Sequence, residues 1–272
     1  MNASLVDFLD FKKAIEEDEL VFVFGTGIFC ALSGKSYNWM QWLSDGISYI
    51  QKELEATSLA EELKNEHSSE GLVRIAGKVI RAAKRDGTYS AWMDSAFGQD
   101  KIQNPALAKT LRKLVSTQAV FATTNYDLML EKATGLGSLS YQEPGRAFVM
   151  LDHRLSSHVL HIHGVYDSAS ETDTIIADEN QYAEILNNQG AQFIQEILGT
   201  RTLVFIGCGK TMDDANITRL IEFAGKHLMM ARKYYILTER SHWNDELPGN
   251  ITRIPYGDQF SDLPAFWKTS HK

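Results

Sequence analysis

Two short polar clusters in this 272-residue chain each follow an apolar run, and both carry side chains able to do chemistry. Ala119-Val120-Phe121-Ala122 leads into Thr123-Thr124-Asn125-Tyr126-Asp127, and His158-Val159-Leu160-His161-Ile162 leads into His163-Gly164. An asparagine amide both donates and accepts, so Asn125 can bridge a sugar hydroxyl and a water. Imidazole titrates near neutral pH, which makes His163 a candidate general base. Asx-turn and capping chemistry accounts for Asn125 or Asp127 singly, but less well for five polar positions in a row. His161 shares a strand face with His163 but lies before the strand end, so we read it as a structural histidine.

Two glycine turns accompany these clusters. Leu20-Val21-Phe22-Val23-Phe24 closes with Gly25-Thr26-Gly27, and Thr202-Leu203-Val204-Phe205-Ile206 closes with Gly207-Cys208-Gly209. A glycine turn between a strand and a helix lets backbone approach a pyrophosphate, whose charge is stabilised at the helix N-terminus. The first turn lacks the third glycine of the dinucleotide fingerprint, since Cys30 stands at that spacing. A tight turn with glycine geometry is the alternative explanation. Asp213 and Asp214 follow the second turn, where either carboxylate could accept a ribose hydroxyl and at least one is expected to cap a helix. Nothing near Cys208 in sequence would activate its thiol, and we read it as a small buried filler.

The elements that must position these groups form an alternating pattern. Apolar runs at 20–24, 119–122, 158–162, 202–206, 233–237 and 251–254 are separated by helical periods. This predicts an α/β, Rossmann-like fold, a mostly parallel sheet with helices on both faces. Ligands of open α/β sheets bind at the carboxyl ends of strands, where both polar clusters fall. Residues 39–115 break the alternation and read as an all-helical insertion capping those ends. Within it Leu72, Ile75, Ala76, Val79, Ile80 and Ala83 form an apolar stripe. Arg74, Lys78, Arg81, Lys84 and Arg85 lie mainly on the other faces, and we read them as a solvated surface rather than a nucleic-acid contact. Trp39 and Trp42, three apart, are expected to face the core of the insertion, with a stacking platform as the second reading. One domain over 1–272 is expected, with its core at about 15–38 and 116–256 and a short C-terminal helix at about 261–269.

Composition narrows the function. A net charge of −8 argues against a broad nucleic-acid surface. No apolar run reaches the length of a membrane span, and the first residues lack a signal-peptide pattern, so a cytoplasmic protein is expected. Two cysteines, 30 and 208, supply neither a disulfide framework nor a four-cysteine zinc site, and no metal is expected.

The ordered set is strand-Gly-x-Gly, helical insertion, Thr-Thr-Asn-Tyr-Asp, His-Gly, then a second strand-Gly-x-Gly with downstream aspartates. It resembles, over about residues 15–240, the SIR2-like domains of bacterial anti-phage defence systems, relatives of the sirtuin deacetylases. The resemblance implies an NAD+ hydrolase that takes NAD+ as substrate and depletes the cofactor pool on infection. It assigns Asn125 and His163 as catalytic residues and Asp127 as the acidic residue of the same motif. Gly25, Thr26, Gly27 and Thr124 then belong to the cofactor site, with Gly207, Gly209, Asp213 and Asp214 toward the adenosine ribose. The chain lacks the zinc cysteines of the deacetylases, which moves the expected outcome from deacylation to hydrolysis. A deacylase or ADP-ribosyltransferase, a non-catalytic NAD+- or ADP-ribose-binding module, and a structural subunit remain the alternative readings. The insertion and short C-terminal segment leave little room for a sensor, so control in trans is expected. Self-assembly or a partner protein would supply it, by family analogy a HerA-like ATPase or a short Argonaute.

Overall fold

Strands that are apolar on both faces need cover on both sides, and the chain provides it with one central sheet between two helical layers. The computed structural model describes residues 5–16, 20–98, 101–115, 119–152, 157–209, 234–242 and 251–270. Its strands are β1 (Leu20–Phe24), β2 (Val120–Thr123), β3 (Gly137–Ser140), β4 (His158–His161), β5 (Tyr166–Asp167), β6 (Thr172–Asp173), β7 (Thr202–Ile206), β8 (Tyr234–Glu239) and β9 (Ile251–Gly257). Seven of them form a sheet in the order β3-β4-β2-β1-β7-β8-β9, and every pairing in it is parallel. β5 and β6 form a separate antiparallel hairpin. From β1 the chain adds β2, then the edge strand β3 and β4 between the two, before it crosses to β7 on the other side of β1. That reversal is the topological switch of a Rossmann-like fold, and it lies between the two glycine turns.

The helices are α1 (Leu5–Glu16), α2 (Thr26–Ser33), α3 (Trp39–Ser48), α4 (Glu53–Asn65), α5 (Ser69–Arg85), α6 (Tyr89–Met93), α7 (Pro105–Val115), α8 (Met129–Thr134), α9 (Pro144–Asp152), α10 (Glu179–Asn187), α11 (Gln189–Gly199) and α12 (Leu263–Ser270). One sheet face packs Phe22, Phe24, Phe121, Val204 and Tyr235 against α1, α2, α7, α8 and α12. The other packs Val21, Val23, Val120, Leu203 and Phe205 against α9 and α11. Alternate residues of β1 thus serve opposite layers, as the two-residue period of a strand requires.

Helices α3 to α6 make a third core of their own, built on Trp42, Leu43, Ile75, Val79 and Trp92. Tyr126, just past β2, and Tyr166 of the β5–β6 hairpin join that core and tie the helical unit to the sheet. Helix α7 instead covers the sheet face through Leu107, Leu111 and Leu114. Three of the five cations of α5 are matched by carboxylates, and Lys84 lies over the Tyr89 ring at 4.6 Å. Lys78 pairs with Glu62 at 2.8 Å, Arg74 with Glu66 at 3.2 Å, and Arg85 with Glu55 and Asp86 at 2.9 Å. This face is therefore partly neutralised by α4 and its flanks, which reduces the charge available to a phosphate backbone.

Candidate functional site

The end of β2 is stitched to the end of β1. Thr123 Oγ1 donates to the Phe24 carbonyl at 2.9 Å, and the Thr124 N–H donates to the same oxygen at 3.1 Å. Asn125 Nδ2 donates to the Gly25 carbonyl at 3.2 Å, while the Asn125 N–H donates to Thr123 Oγ1 at 3.0 Å. Much of the polar run is therefore explained by its own architecture: it closes two strand ends whose backbone groups would otherwise be orphaned.

The glycines of the first turn have a steric explanation as well. A Cβ on Gly25 would lie 2.6 Å from the Gly207 carbonyl oxygen and 2.7 Å from the Cys208 Cα. A Cβ on Gly27 would lie 2.8 Å from the Gly207 Cα. The two turns pack backbone against backbone, with the Gly25 N–H donating to Ile206 and the Gly27 N–H to Gly207. Gly207 also needs glycine for its own φ of 66°. Gly209 differs: its φ is 30°, and among the described residues no non-neighbouring atom lies within 4 Å of where its Cβ would be.

In front of these turns opens a cleft of about 430 Å³, open solvent at its mouth included. Its polar wall is Thr26, Thr124, Asn125 and Asp127, and its aromatic wall is Phe29, Tyr37, Trp39, Trp42, Phe97 and Tyr126. Asn38 also lines it, though its side chain is engaged in capping α3 through the Gln41 N–H at 3.0 Å. Trp42 is buried and stacks on Trp92 with centroids 4.8 Å apart, so it serves both the core and the cleft. The reading of Trp39 and Trp42 as core residues was thus incomplete. Three-residue spacing on α3 gives the inward direction, but not that the inward side borders a cavity.

Asp127 is buried at the cleft wall and accepts the Met129 N–H on Oδ1 at 2.9 Å, which fixes the start of α8. Burial pushes its carboxyl from 3.8 up to about 6, with the Glu131 charge adding and the Met129 hydrogen bond opposing. The folded-state value lies above the unfolded one. Burial of this group therefore costs nothing below about pH 4, and its penalty grows to full size above about pH 6. The difference corresponds to about 3 kcal/mol. Asp127→Asn keeps the oxygen for Met129 and removes the buried charge. It should stabilise the protein by up to about 3 kcal/mol at pH 8, with the gain vanishing near pH 4. Denaturant midpoints at the two pH values check this; an equal gain at both would place its cause elsewhere.

His163 follows β4, whose register sets His161 opposite Thr123 of β2, so the two polar clusters leave adjacent strands side by side. His163 is 3% exposed, sits edge-on to Tyr182 of α10 at 5.9 Å, and is not among the residues lining the cleft. Its carbonyl accepts the Ile176 N–H at 2.9 Å, and Gly164 takes a φ of 79° to make the turn. The structure brings Thr26, Thr124, Asn125 and Asp127 to one cleft, with Gly25, Gly27 and Gly207 behind it. Asp213 and Asp214 lie outside the described residues. Cys208 is buried, and burial pushes its thiol up to about 12, which keeps it an inert filler. Among the described residues no group of His, Cys, Asp and Glu could hold a metal ion, and no helix is long and apolar enough to cross a membrane.

The structure is a Rossmann-like parallel sheet with a polar and aromatic cleft at its strand ends, the place where ligands of open α/β sheets bind. Residues 119–251, just under half of the chain, match the family model of the SIR2-like domain. The match takes in the Thr-Thr-Asn-Tyr-Asp cluster, the His-Gly turn and the second glycine turn, and it supports the SIR2-like family. Domains of this family are often NAD-dependent enzymes.

Proposed function

We propose that this cleft binds NAD+ and cleaves its nicotinamide–ribose bond with water, releasing nicotinamide and ADP-ribose. The observation that supports it most is the make-up of the cleft, an aromatic wall facing Asn125, Thr124 and Asp127, within a chain matching the SIR2-like domain. A planar, cationic pyridinium ring suits such a wall through stacking and cation–π attraction.

When the bond from the anomeric carbon to the ring nitrogen breaks, its electron pair stays with the nitrogen and neutralises the ring. The leaving group needs no acid; what matters is placement of the ribose and of the attacking water. In this reading Asn125 orients the ribose or the water with the face of its amide not spent on Gly25. His163, from the end of the adjacent strand rather than from the cleft lining itself, takes the proton from a ribose hydroxyl or from the water as the oxygen bonds to the anomeric carbon. Asp127 braces the loop or contacts the carboxamide. Thr26 and the first turn of α2 carry the diphosphate, with Gly25 and Gly27 acting through the packing of the turns. Gly207 and Gly209 lie toward the adenosine ribose.

Unregulated hydrolysis would drain the host's own NAD+. We therefore extend the proposal to an effector of anti-phage defence held in check in trans, through self-assembly or a partner such as a HerA-like ATPase or a short Argonaute. The test is incubation of the purified protein with NAD+, alone and with the products of adjacent genes. Equal amounts of nicotinamide and ADP-ribose should appear by chromatography. Binding should also quench the fluorescence of Trp39 and Trp42. Intact NAD+ in every mixture would refute hydrolysis, and quenching without turnover would mark a binding module. A monomer that is already a fast hydrolase would refute control in trans.

A further inference from the structure

His161 is completely buried at the end of β4, directly behind the loop that carries Asn125. Its Nδ1 lies 2.9 Å from the Asn125 carbonyl oxygen, and its Nε2 lies 2.6 Å from Oε1 of Glu131 on α8. A carbonyl can only accept, so Nδ1 carries a proton. A carboxylate accepts as well, so the same geometry makes Nε2 a donor and the ring an imidazolium facing its counter-ion. Burial disfavours that charge, but the Glu131 carboxylate and the hydrogen bonds outweigh it and hold the imidazole above its ordinary range. The other charged group facing the ring is Asp127, on the loop just beyond Asn125.

The pair's hydrogen bond to the cleft lining runs through Asn125, and its charges also act on Asp127. Its ring is spent on a backbone carbonyl rather than on a nucleophile, so it cannot act as a base. What it controls is the peptide plane after Asn125. With the N–H of that residue on Thr123 and its Nδ2 on Gly25, the Asn125 main chain and amide are held from three sides. A buried ion pair adds little net stability over an apolar filler, so an effect on geometry is the more informative thing to look for.

We propose that His161 and Glu131 form a positioning pair that fixes the Asn125 backbone and thereby aims the Asn125 amide into the cleft. Its consequence for turnover rests on the NAD+ hydrolase reading above; its consequence for the Asn125 amide does not.

Two readouts on the full chain separate these. One is the NMR signal of the Asn125 side-chain amide in the free protein, and the other is kcat and KM for NAD+. His161→Phe keeps the volume and removes both donors. It should move the Asn125 amide signal toward that of a solvated asparagine. It should also lower kcat roughly 10–100-fold while leaving KM within about threefold. Glu131→Gln should restore near wild-type values in both. The new amide can donate to Nε2 of a neutral ring whose Nδ1–H still reaches Asn125. Glu131→Leu leaves the ring without its anchor and carries the same expectation as His161→Phe, should the latter not fold. An unmoved Asn125 signal in both His161→Phe and Glu131→Leu would overturn the pair's positioning role, as would a Glu131→Gln protein as impaired as Glu131→Leu. If the wild type does not consume NAD+, the hydrolase reading fails while the amide signal still decides the pair.

Discussion

Replacing His163 by alanine is expected to lower nicotinamide release on the order of 10²–10⁴-fold, the usual worth of a positioned base. The argument starts from the fold. β2 and β4 are neighbours in register, so the residues that follow them, Asn125 and His163, emerge at one end of the sheet. The turn that carries His163 is held by main-chain contacts, with the Ile176 N–H on the His163 carbonyl, and these survive truncation of the side chain. KM should change little, because the imidazole acts on a proton rather than on the nucleotide as a whole. The ring is buried against Tyr182, so the alanine leaves a small cavity. His163→Gln, which keeps a polar side chain of similar length, serves as the control for packing. A folded His163→Ala protein with wild-type kcat would remove this residue from the mechanism.

The second large effect belongs to the glycine turns. Gly25→Ala would drive a methyl group to 2.6 Å from the Gly207 carbonyl oxygen, a backbone atom that cannot swing aside. The turns of β1 and β7 would have to separate. Overpacking of this kind costs about 1–3 kcal/mol. The cost reaches the site directly, because the Gly25 carbonyl is the acceptor of the Asn125 amide. Gly25→Ala should therefore lower both the denaturant midpoint and kcat. Gly145→Ala is the contrast: it lies in α9, and no atom lies within 4 Å of its added Cβ. There alanine should be neutral or stabilise by about 0.5–1 kcal/mol. Equal behaviour of the two variants would mean that the turns do not depend on their close approach.

The centre of the sheet was legible because β1 and β7 are written as apolar runs closed by glycine, the pattern of strands buried on both faces. β3 was missed for the opposite reason. Gly137-Ser138-Leu139-Ser140 carries one large apolar residue, and the segment is a strand only because β4 offers it an edge. The β5–β6 hairpin, two residues in each strand, is likewise too short to leave a period. Asn125, Thr124 and Asp127 stood out as a polar run at a strand end, and they share a cleft. His161 was read as structural, and its fully buried environment agrees with that. Its two partners could not be seen, because Glu131 reaches it from α8 and the Asn125 carbonyl from the loop after β2. Those contacts depend on strand order, not on spacing along the chain. The aromatic wall was hidden in a similar way: Phe29, Tyr37, Phe97 and Tyr126 come from four separate segments, and no pattern in any one of them marks a cavity.

The most direct test of the central claim compares wild-type protein and Asn125→Ala in one assay, with NAD+ consumption followed by chromatography and binding followed by tryptophan quenching. Asn125 is the residue on which the cleft, the strand-end stitching and the proposed chemistry converge. The wild type should release nicotinamide and ADP-ribose in equal amounts. Asn125→Ala should still quench on binding NAD+ and leave it intact. Release of nicotinamide by Asn125→Ala at the wild-type rate would contradict the account.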